Sequence, residues 1–436
     1  MDMTPDAPSS ARDDLSRPGE KASGGSLPHV VIVGAGFAGL TAARALARAP
    51  VRVTIIDQNN YHLFQPLLYQ VATAALSPAE IAAPVRSILR DQANAIVRLG
   101  RVTDIDTTAR LVAIDEERIA YDWLIVATGA RHAYFGHDEW EPWAPGLKTI
   151  RDARAIRRQI LLAFEQAENL ADADGQVRPL NFIIIGGGPT GVEMAGAIAE
   201  LAKKALARDF HHIDPRQARI ILVEAGPRLL PSFPESLSKK AMRSLKKLGV
   251  EVLLGSPVTD CQPDSVFIGG ETIRSDCIIW AAGVAASPAA DWLHAEKDRV
   301  GRAIVNPDLS LPGHPEVFVV GDTALVIGED GKPVPGVAPA AKQQGAYAAE
   351  AIRRKLRGEM AIGPFRYHNI GNLATIGRSA AVADFGWLRV SGLVAWVLWG
   401  LVHIAFLIGF RNRITVLTEW LWAYFTFRRG ARLITD

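Results

Sequence analysis

The first regular pattern in the sequence, over residues 29–57, is an apolar run, a glycine-rich turn, a helical pattern and a second apolar run. Residues His29–Val33 form a continuous apolar run, as a buried parallel strand requires. A helical pattern follows through Leu46, and the second run, VRVTIID, ends in Asp57. The turn between them carries a GxGxxG motif formed by Gly34, Gly36 and Gly39. The pattern predicts a strand–helix–strand unit that binds a dinucleotide.

The same succession recurs at residues 181–224. NFIIIGGGPTGVE supplies an apolar strand and a second turn, a helix continues through MAGAIAELAKKAL, and the strand RIILVE ends in Glu224. The glycines of this second motif are Gly186, Gly188 and Gly191. Glu224 follows its turn at a longer interval than Asp57 does, and we assign the excess to a polar loop, RDFHHIDPRQ. The sequence therefore predicts two dinucleotide-binding units in one chain.

Each position of these motifs has a physical role. The first glycine permits the tight turn, the second lets a pyrophosphate approach the backbone at the helix N-terminus, and the third lets helix and strand pack closely. Asp57 and Glu224 can accept hydrogen bonds from ribose hydroxyls. A carboxylate at Glu224 repels a 2′-phosphate and therefore favours NADH over NADPH. Arg228 lies nearby and either softens that preference or is a surface arginine.

Two further stretches indicate which unit holds which cofactor. Residues Ala127, Thr128 and Gly129 follow the apolar strand DWLIV, and Gly321 and Asp322 end another strand, FVV. They resemble the ATG and GD motifs of the two-dinucleotide flavoprotein family. The resemblance implies that the first unit binds FAD, with Asp322 on the ribityl chain, and that the second binds NADH. Hydride transfer from nicotinamide to flavin is the simplest chemistry for such a pair.

The predicted fold class is therefore α/β, with two Rossmann-like domains and a C-terminal helical membrane-docking segment. The FAD domain is discontinuous and takes residues 29–145 and 296–385, and the NADH domain is inserted as residues 146–295. IIWAAGV, at 278–284, is predicted to be the strand that returns from the NADH domain, and it places Gly283 at the NADH site. Residues 386–436 form the C-terminal segment, and residues 1–28 are predicted to be a disordered tail.

The stretch GLVAWVLWGLVHIAFLIGF, residues 392–410, contains no charged residue and is long enough to span a bilayer. Spanning would export a basic tail, against the positive-inside tendency. Docking on one leaflet fits the aromatic residues that follow and lets the arginines meet anionic headgroups. We therefore favour docking over a single spanning helix at 392–410, with a buried core helix as the third reading. The tail arginines are Arg411, Arg413, Arg428, Arg429 and Arg432.

Composition narrows the function further. The formal net charge of +2 argues against nucleic acid as the main partner. The chain has two cysteines, Cys261 and Cys277, and their spacing forms neither a CxxC redox pair nor a metal site. Disulfide reductases and sulfide:quinone reductases need redox cysteines, so quinones, small iron proteins and oxygen remain as electron acceptors. Residues 1–28 lack the apolar segment that a signal peptide contains, and this predicts a cytoplasmic protein.

Three stretches together resemble bacterial type II NADH dehydrogenase, the single-subunit NADH:quinone oxidoreductase that pumps no protons. They are NNYHLFQPLLYQVATAALSP, VAPAAKQQGAYAAE and the C-terminal YHNIGNLATIGRSAAVADF with the helical segments after it. The resemblance runs from about residue 29 to the C-terminus. It implies FAD, NADH and a membrane quinone as cofactor and substrates, a homodimer, and docking on the cytoplasmic face of the membrane.

The resemblance also implies site residues near the flavin. Gln343 matches the second glutamine of the family's Ala-Gln-x-Ala-x-Gln-x-Gly segment, where quinone enters, and Gln344 is its neighbour. Pro339 replaces the first glutamine, so one amide donor to the quinone is missing. Glu193 matches a glutamate between the nicotinamide and the quinone pocket, which could supply a proton. The alternative reading of Glu193 is a carboxylate stabilised by the helix dipole.

Two histidines and two rival functions complete the prediction. His62 and His403 are read as hydrogen-bonded structural histidines. The main alternative function is a soluble NADH-dependent ferredoxin or rubredoxin reductase, which would share both dinucleotide units and lack the lipid-facing tail. A second alternative is a binding protein whose partner contacts change with flavin reduction. No metal site is predicted.

Overall fold

The structure, a computed structural model, describes residues 27–174, 178–426 and 429–435. The predicted tail at 1–28 therefore lies almost wholly outside the described residues, as does Arg428. The strands are β1 His29–Val33, β2 Arg52–Asp57, β3 Tyr61–Leu63, β4 Ala82–Pro84, β5 Ala95–Leu99, β6 Val102–Asp106, β7 Leu111–Ile114, β8 Glu117–Ala120, β9 Trp123–Val126, β10 Ala130–His132, β11 Asn181–Ile185, β12 Arg219–Glu224, β13 Val250–Leu254, β14 Val258–Gln262, β15 Ser265–Ile268, β16 Glu271–Arg274, β17 Cys277–Trp280, β18 Val284–Ala286, β19 Ala303–Ile304, β20 Ser310–Leu311, β21 His314–Val319, β22 Ala324–Leu325, β23 Asn372–Thr375, β24 Ala381–Asp384 and β25 Arg389–Gly392.

The helices alternate with the strands along most of the chain. They are α1 Phe37–Ala45, α2 Leu68–Ala72, α3 Pro78–Ile81, α4 Val85–Ile88, α5 Ile150–Asp174, α6 Pro189–Glu200, α7 Glu235–Lys247, α8 Ala289–Trp292, α9 Ala338–Leu356, α10 Leu393–Phe406 and α11 Phe410–Thr426. Helix α6 continues into a π-helical turn at Leu201–Ala205. The polar stretch after that turn is a loop with one 3₁₀ turn, Pro215–Gln217, as the long interval before Glu224 predicts.

The first dinucleotide-binding unit is a six-stranded sheet with the order β20-β21-β9-β1-β2-β5. Its strands run parallel, except that β20 pairs antiparallel with β21 at the edge. Strand β1 is central, with Val31 opposite Thr54 on one side and Leu124 on the other. Every residue of β1 is buried, which explains its continuous apolar sequence. Strands β20 and β21 join this sheet from much later in the chain.

The second unit is a four-stranded parallel sheet with the order β13-β12-β11-β17. Strand β11 is central, and Ile183 lies opposite Ile221 of β12 and Ile278 of β17. Strand β17 contains the first three residues of the IIWAAGV stretch, Ile278–Trp280, and lies at the edge of this sheet. The two sheets confirm the α/β class with two dinucleotide-binding units. The residue limits of the FAD and NADH domains stay a prediction.

The apolar stretch at 392–410 is not one continuous helix. Helix α10 ends at Phe406, Leu407 is extended, and Gly409 has a left-handed φ of +91° before α11 begins. Within the described ranges, no helix is long and apolar enough to cross a membrane. The alternative of a single spanning helix at 392–410 is therefore wrong. The buried-core reading holds only for part of α10, because Ala395 and Trp399 are buried whereas Leu401 is 64% exposed.

Three of the tail arginines bond to the protein. Arg429 donates to the Thr73 and Ala197 carbonyls, at 2.7 and 3.2 Å. Arg413 donates to the Leu407 carbonyl at 2.8 Å, and Arg432 donates to the Ala205 carbonyl at 3.1 Å. For Arg429 and Arg432 the expectation of contact with lipid headgroups needs correction, since their guanidinium groups hold the C-terminal segment against the α/β body. Arg413 bonds a carbonyl of the C-terminal segment itself and is exposed. Arg411 is exposed.

Candidate functional site

The first glycine turn has the geometry that its sequence predicts. Gly34 has a φ of +102°, and a Cβ there would lie 2.4 Å from the Ala127 carbonyl oxygen. A Cβ on Gly39 would lie 1.8 Å from the Gly34 oxygen, so helix α1 can approach β1 only with glycine at this position. At Gly36 a Cβ would meet no atom within 4 Å. The space in front of the α1 N-terminus is therefore open, as a pyrophosphate site requires.

The acid at the end of β2 closes this turn. The Asp57 carboxylate accepts a hydrogen bond from the Ala35 amide at 2.7 Å and a second from the Asn59 amide at 2.7 Å. Burial raises the pKa of Asp57, and the two amide bonds oppose that rise. The carboxylate thus stands beside the phosphate turn, where it can reach a ribose.

The second unit repeats this arrangement. Gly186 has a φ of +111°, a Cβ on Gly191 would lie 1.8 Å from the Gly186 oxygen, and Gly188 opens to empty space. Glu224 accepts from the Gly187 amide and from the Gly226 amide, both at 2.6 Å. The same two kinds of amide hold Asp57 and Glu224, one in the turn and one two residues beyond the acid. The two sites are therefore built alike.

Arg228 is tied to the backbone of its own loop. Its guanidinium donates to the Phe233 and Pro231 carbonyls, each at 2.7 Å. These bonds direct the charge to the loop backbone. Of the two readings, the structure favours a structural arginine over a group that attracts a 2′-phosphate.

The ATG and GD motifs meet beside the first sheet. Gly129 has a φ of +72° and Gly321 a φ of +78°. The Thr128 hydroxyl bonds the Ser287 hydroxyl, which in turn lies 2.9 Å from the Thr323 hydroxyl. The sequence did not predict Ser287 and Thr323 as site residues, because they come close to Thr128 only in the folded chain. This chain of hydroxyls fixes the two motifs relative to each other.

A cavity of about 190 Å³ opens between these motifs. Asp322, Gly336, Ala341 and Gln344 are among its lining residues. Gln344 is buried, and its Oε1 accepts from the Gly321 amide at 2.6 Å, so its amide braces the GD turn. The cavity contains the predicted ribityl partner, Asp322, and has room for part of a flavin nucleotide.

Gln343 faces away from that cavity. Its Nε2 donates to the His368 carbonyl at 2.8 Å, and its Oε1 accepts from the His368 amide at 2.9 Å. The amide thus joins α9 to the segment before β23. Pro339 lies in the first turn of α9, where no intrahelical bond is lost. Gln343 does not line the cavities of about 250 and 100 Å³ that Glu193 lines.

Glu193 lies between two other cavities. The first, of about 250 Å³, lies against the second glycine turn and is lined by Thr190, Glu193, Trp280 and Gly283. The second, of about 100 Å³, lies under the C-terminal helices. We call them the polar cavity and the aromatic cavity. The aromatic cavity is named for Trp396, Trp399, Trp420 and Tyr424, which line it with Glu193 and Tyr69. Tyr69 also lines the polar cavity.

The pKa of the Glu193 carboxyl lies above its usual value. Burial raises its pKa to about 8, and the Thr375 amide, 3.5 Å from Oε1, opposes the rise only weakly. A carboxyl that holds a proton near neutral pH can deliver it. The helix-dipole reading of Glu193 predicts a lowered pKa, whereas burial raises it here.

Both histidines are hydrogen-bonded within the fold. His62 Nδ1 lies 2.9 Å from the Ala35 carbonyl, and His403 Nδ1 lies 2.7 Å from the Trp399 carbonyl. Burial lowers the pKa of His403 to about 4, so its ring is neutral. Among the described residues, no group of three His, Cys, Asp or Glu side chains could hold a metal ion.

Comparison with known proteins gives two family matches. Residues 28–345 match pyridine nucleotide-disulphide oxidoreductases, and residues 369–429 match the NDH2 C-terminal domain. The type II NADH:quinone oxidoreductase Ndh of Mycobacterium tuberculosis is 46% identical over 93% of this chain and 90% of its own length. A second M. tuberculosis protein of that description, NdhA, is 46% identical over 96% of this chain and 92% of its length.

A solved structure shows the same fold. NDH2 from Plasmodium falciparum, in complex with NADH, superposes with a TM-score of 0.85 and 19% identity, over 94% of this chain and 100% of that chain. At this identity the match establishes the fold alone.

Proposed function

This chain belongs to the type II NADH:quinone oxidoreductase family, and on that premise we propose that it transfers reducing equivalents from NADH through FAD to a membrane quinone without pumping protons. The observation that carries the proposal is the position of Glu193. Its carboxyl is shared by a polar cavity at the second glycine turn and an aromatic cavity under the C-terminal helices. One protonated group thus faces the side where NADH would enter and the side where an apolar acceptor would enter.

The residues of the first unit fit FAD. Gly36 and Gly129 leave open space where a Cβ would stand, and the α1 N-terminus carries no acidic residue in its first turn. Held by Gly34, Gly36, Gly39, Asp57, Ala127, Thr128, Gly129, Gly321 and Asp322, FAD would supply hydride acceptance and two-electron delivery. The chain's own contribution is to position the reactants and to exclude water.

The second unit fits NADH. Gly186, Gly188 and Gly191 would face its pyrophosphate, Gly283 and Glu193 its nicotinamide end, and Glu224 its ribose. The carboxylate of Glu224 is oriented by two amides and would repel a 2′-phosphate. With Arg228 held by its own loop, we expect NADH to be preferred over NADPH.

Gln343 and Gln344, which the family resemblance places near the quinone, act by positioning other parts of the site. Gln343 holds the His368 segment and Gln344 holds the GD turn, so we propose both as positioning residues rather than as direct quinone ligands. Glu193 is proposed as the group that supplies a proton to the quinone. Its raised pKa supports that role.

An exposed apolar surface supports docking on a membrane. Phe410 is 80% exposed and Phe425 is 77% exposed, and both lie on α11. Other residues of this surface are Trp387, Leu393, Val394, Val397, Leu401, Leu421 and Trp422. Trp387 lies between β24 and β25 and the others lie on α10 and α11. Large exposed apolar surfaces are typical of contact with a membrane or a protein. We propose that the surface lies in the cytoplasmic leaflet and that the protein is a homodimer.

A steady-state assay tests the function. NADH oxidation would be followed with a short-chain ubiquinone and, separately, with a ferredoxin as acceptor. We expect rapid oxidation of NADH with the quinone only, and rapid oxidation with ferredoxin alone would support the soluble reductase instead.

Flotation with anionic vesicles tests the docking surface by comparing the unaltered protein with the double variant Phe410→Ser/Phe425→Ser. Ile96→Ser/Leu99→Ser, at an exposed apolar site elsewhere, is the matched control.

A further inference from the structure

Tyr69 is the second residue that the polar and aromatic cavities share. It lies in α2, only 6% of its surface is exposed, and it lines both cavities as Glu193 does. Neither the sequence motifs nor the proposed function assigns it a role. A phenol at this boundary can exchange a proton with either side.

A hydrogen-bonded series fixes the Tyr69 phenol. Gln70 Nε2 donates to the Tyr69 oxygen at 2.8 Å, and Trp420 Nε1 donates to Gln70 Oε1 at 2.7 Å. Trp420 belongs to α11, so the C-terminal helix holds the phenol through Gln70. Because the phenol oxygen is the acceptor from Gln70, its own proton is left to be donated.

The charges around Tyr69 keep that proton in place at rest. Burial and the neighbouring Glu193 raise the pKa of Tyr69 well above its usual value, and Glu200 adds to the rise while Arg429 opposes it. The other charged or titratable residues that line the two cavities are Lys204, Arg378, Tyr424, His132 and Lys148. The phenol is therefore neutral, and it can transfer a proton only if it donates its own proton and accepts another in the same step.

We propose that the Tyr69 hydroxyl carries a proton from Glu193 to a quinone oxygen in the aromatic cavity. The inference rests on the proposed function. NADH gives a hydride, which supplies two electrons and one proton, so quinol formation needs one further proton. The phenol O–H bond breaks as its proton passes to the quinone oxygen, and the phenol takes the Glu193 proton in the same step. Glu193 is left as a carboxylate and takes up a proton from the solution through the polar cavity.

The decisive variant is Tyr69→Phe, which keeps the ring and removes the hydroxyl. The matched control is Tyr121→Phe, because the Tyr121 hydroxyl is buried without a hydrogen-bond partner and lies outside both cavities. Stopped-flow absorbance would measure flavin reduction by NADH and flavin reoxidation by a short-chain ubiquinone separately, in H₂O and in D₂O. The reduction step reports any packing defect in the same protein sample.

We expect Tyr69→Phe to slow quinone-dependent reoxidation about tenfold or more beyond any change in flavin reduction. The solvent isotope effect of the reoxidation step should change as well, while Tyr121→Phe should match the unaltered protein in both steps. Equal slowing of the two steps, or none, would overturn the relay. If the unaltered protein reduces no quinone, the proposed function fails before the variant is compared.

A second readout needs no turnover. Protonated Glu193 has an infrared carbonyl band, which is identified by its absence in Glu193→Gln. The intensity of this band would be measured as a function of pH in the unaltered protein and in Tyr69→Phe. A phenol that donates to the carboxylate stabilises it, so its removal should raise the titration midpoint by roughly one pH unit. An unchanged midpoint would show that the two groups are not in proton contact and would contradict the relay.

Discussion

Gly345 of α9 lies directly against the carbonyl oxygen of Ala38 in α1, and a Cβ built on Gly345 would stand 2.2 Å from that oxygen. Helix α1 begins at the first phosphate turn, and α9 carries Gln344, which braces the GD turn. The contact therefore sets the distance between the two parts of the proposed FAD site.

Gly345→Ala should separate α1 from α9. We expect it to destabilise the chain by about 1–3 kcal/mol, as overpacking does, and to lower the flavin bound per chain. The ratio of flavin to protein absorbance after purification would measure the loss. Gly400→Ala is the matched control in a helix, since its Cβ would meet Trp420 at an ordinary 3.6 Å. Full flavin content in Gly345→Ala would contradict the packing argument.

Glu193 makes stability depend on pH. The unfolded carboxyl ionises with the ordinary glutamate pKa of 4.5, whereas burial in the folded state raises the pKa to about 8. Between these values the folded state binds more protons, so stability falls as pH rises, by up to about 1.4 kcal/mol per pH unit. Glu193→Gln removes this term. The unfolding midpoint temperature of the variant, relative to that of the unaltered protein, should therefore rise from pH 5 to pH 8. If the difference between the two midpoints stays constant over this range, the pKa of Glu193 is not raised in the folded state.

Cofactor preference should depend on Glu224 and not on Arg228. Glu224→Gln removes the charge that repels a 2′-phosphate, so the ratio of kcat/KM for NADH to that for NADPH should fall about tenfold or more. Arg228→Ala should leave the ratio unchanged, since its guanidinium is held by the Phe233 and Pro231 carbonyls. Steady-state kinetics with both nucleotides would measure the ratios. A large change in Arg228→Ala alone would reverse the assignment.

Arg429 should be the strongest attachment of the C-terminal segment. Arg429→Met leaves the Thr73 and Ala197 carbonyls without their donor and removes the guanidinium 3.7 Å from Glu200. We expect a loss of about 3 kcal/mol in unfolding free energy. Denaturant titration would measure it, with Arg411→Met, at an exposed arginine, expected to stay within about 0.5 kcal/mol. Equal effects in the two variants would rule out a specific role for Arg429.

The sequence predicted the features whose cause is local. The glycines at 34, 39, 186 and 191 could be identified because each turn meets its own strand and helix within a few residues. Asp57 and Glu224 were predicted at the ends of their strands for the same reason, and both fall beside a turn amide.

The features that the sequence did not predict depend on distant parts of the chain. Trp420 bonds Gln70 across 350 positions, and Thr128 meets Ser287 across 159. The sequence pattern also did not predict the direction in which a long side chain points. Arg429 and Arg432 turn toward backbone carbonyls, although an arginine-rich tail predicts lipid contact. No residue type or spacing encodes these pairings, because each is set by how elements far apart in the chain pack together.

The central claim is that one flavoprotein takes electrons from NADH and gives them to quinone. The most direct measurement is stopped-flow absorbance on detergent-purified protein, in which NADH first reduces the bound flavin and a short-chain ubiquinone is then mixed in. We predict reoxidation by the quinone at a rate that matches flavin reduction. Fast reduction by NADH followed by sluggish reoxidation with every quinone tried would contradict the claim and point to a protein acceptor.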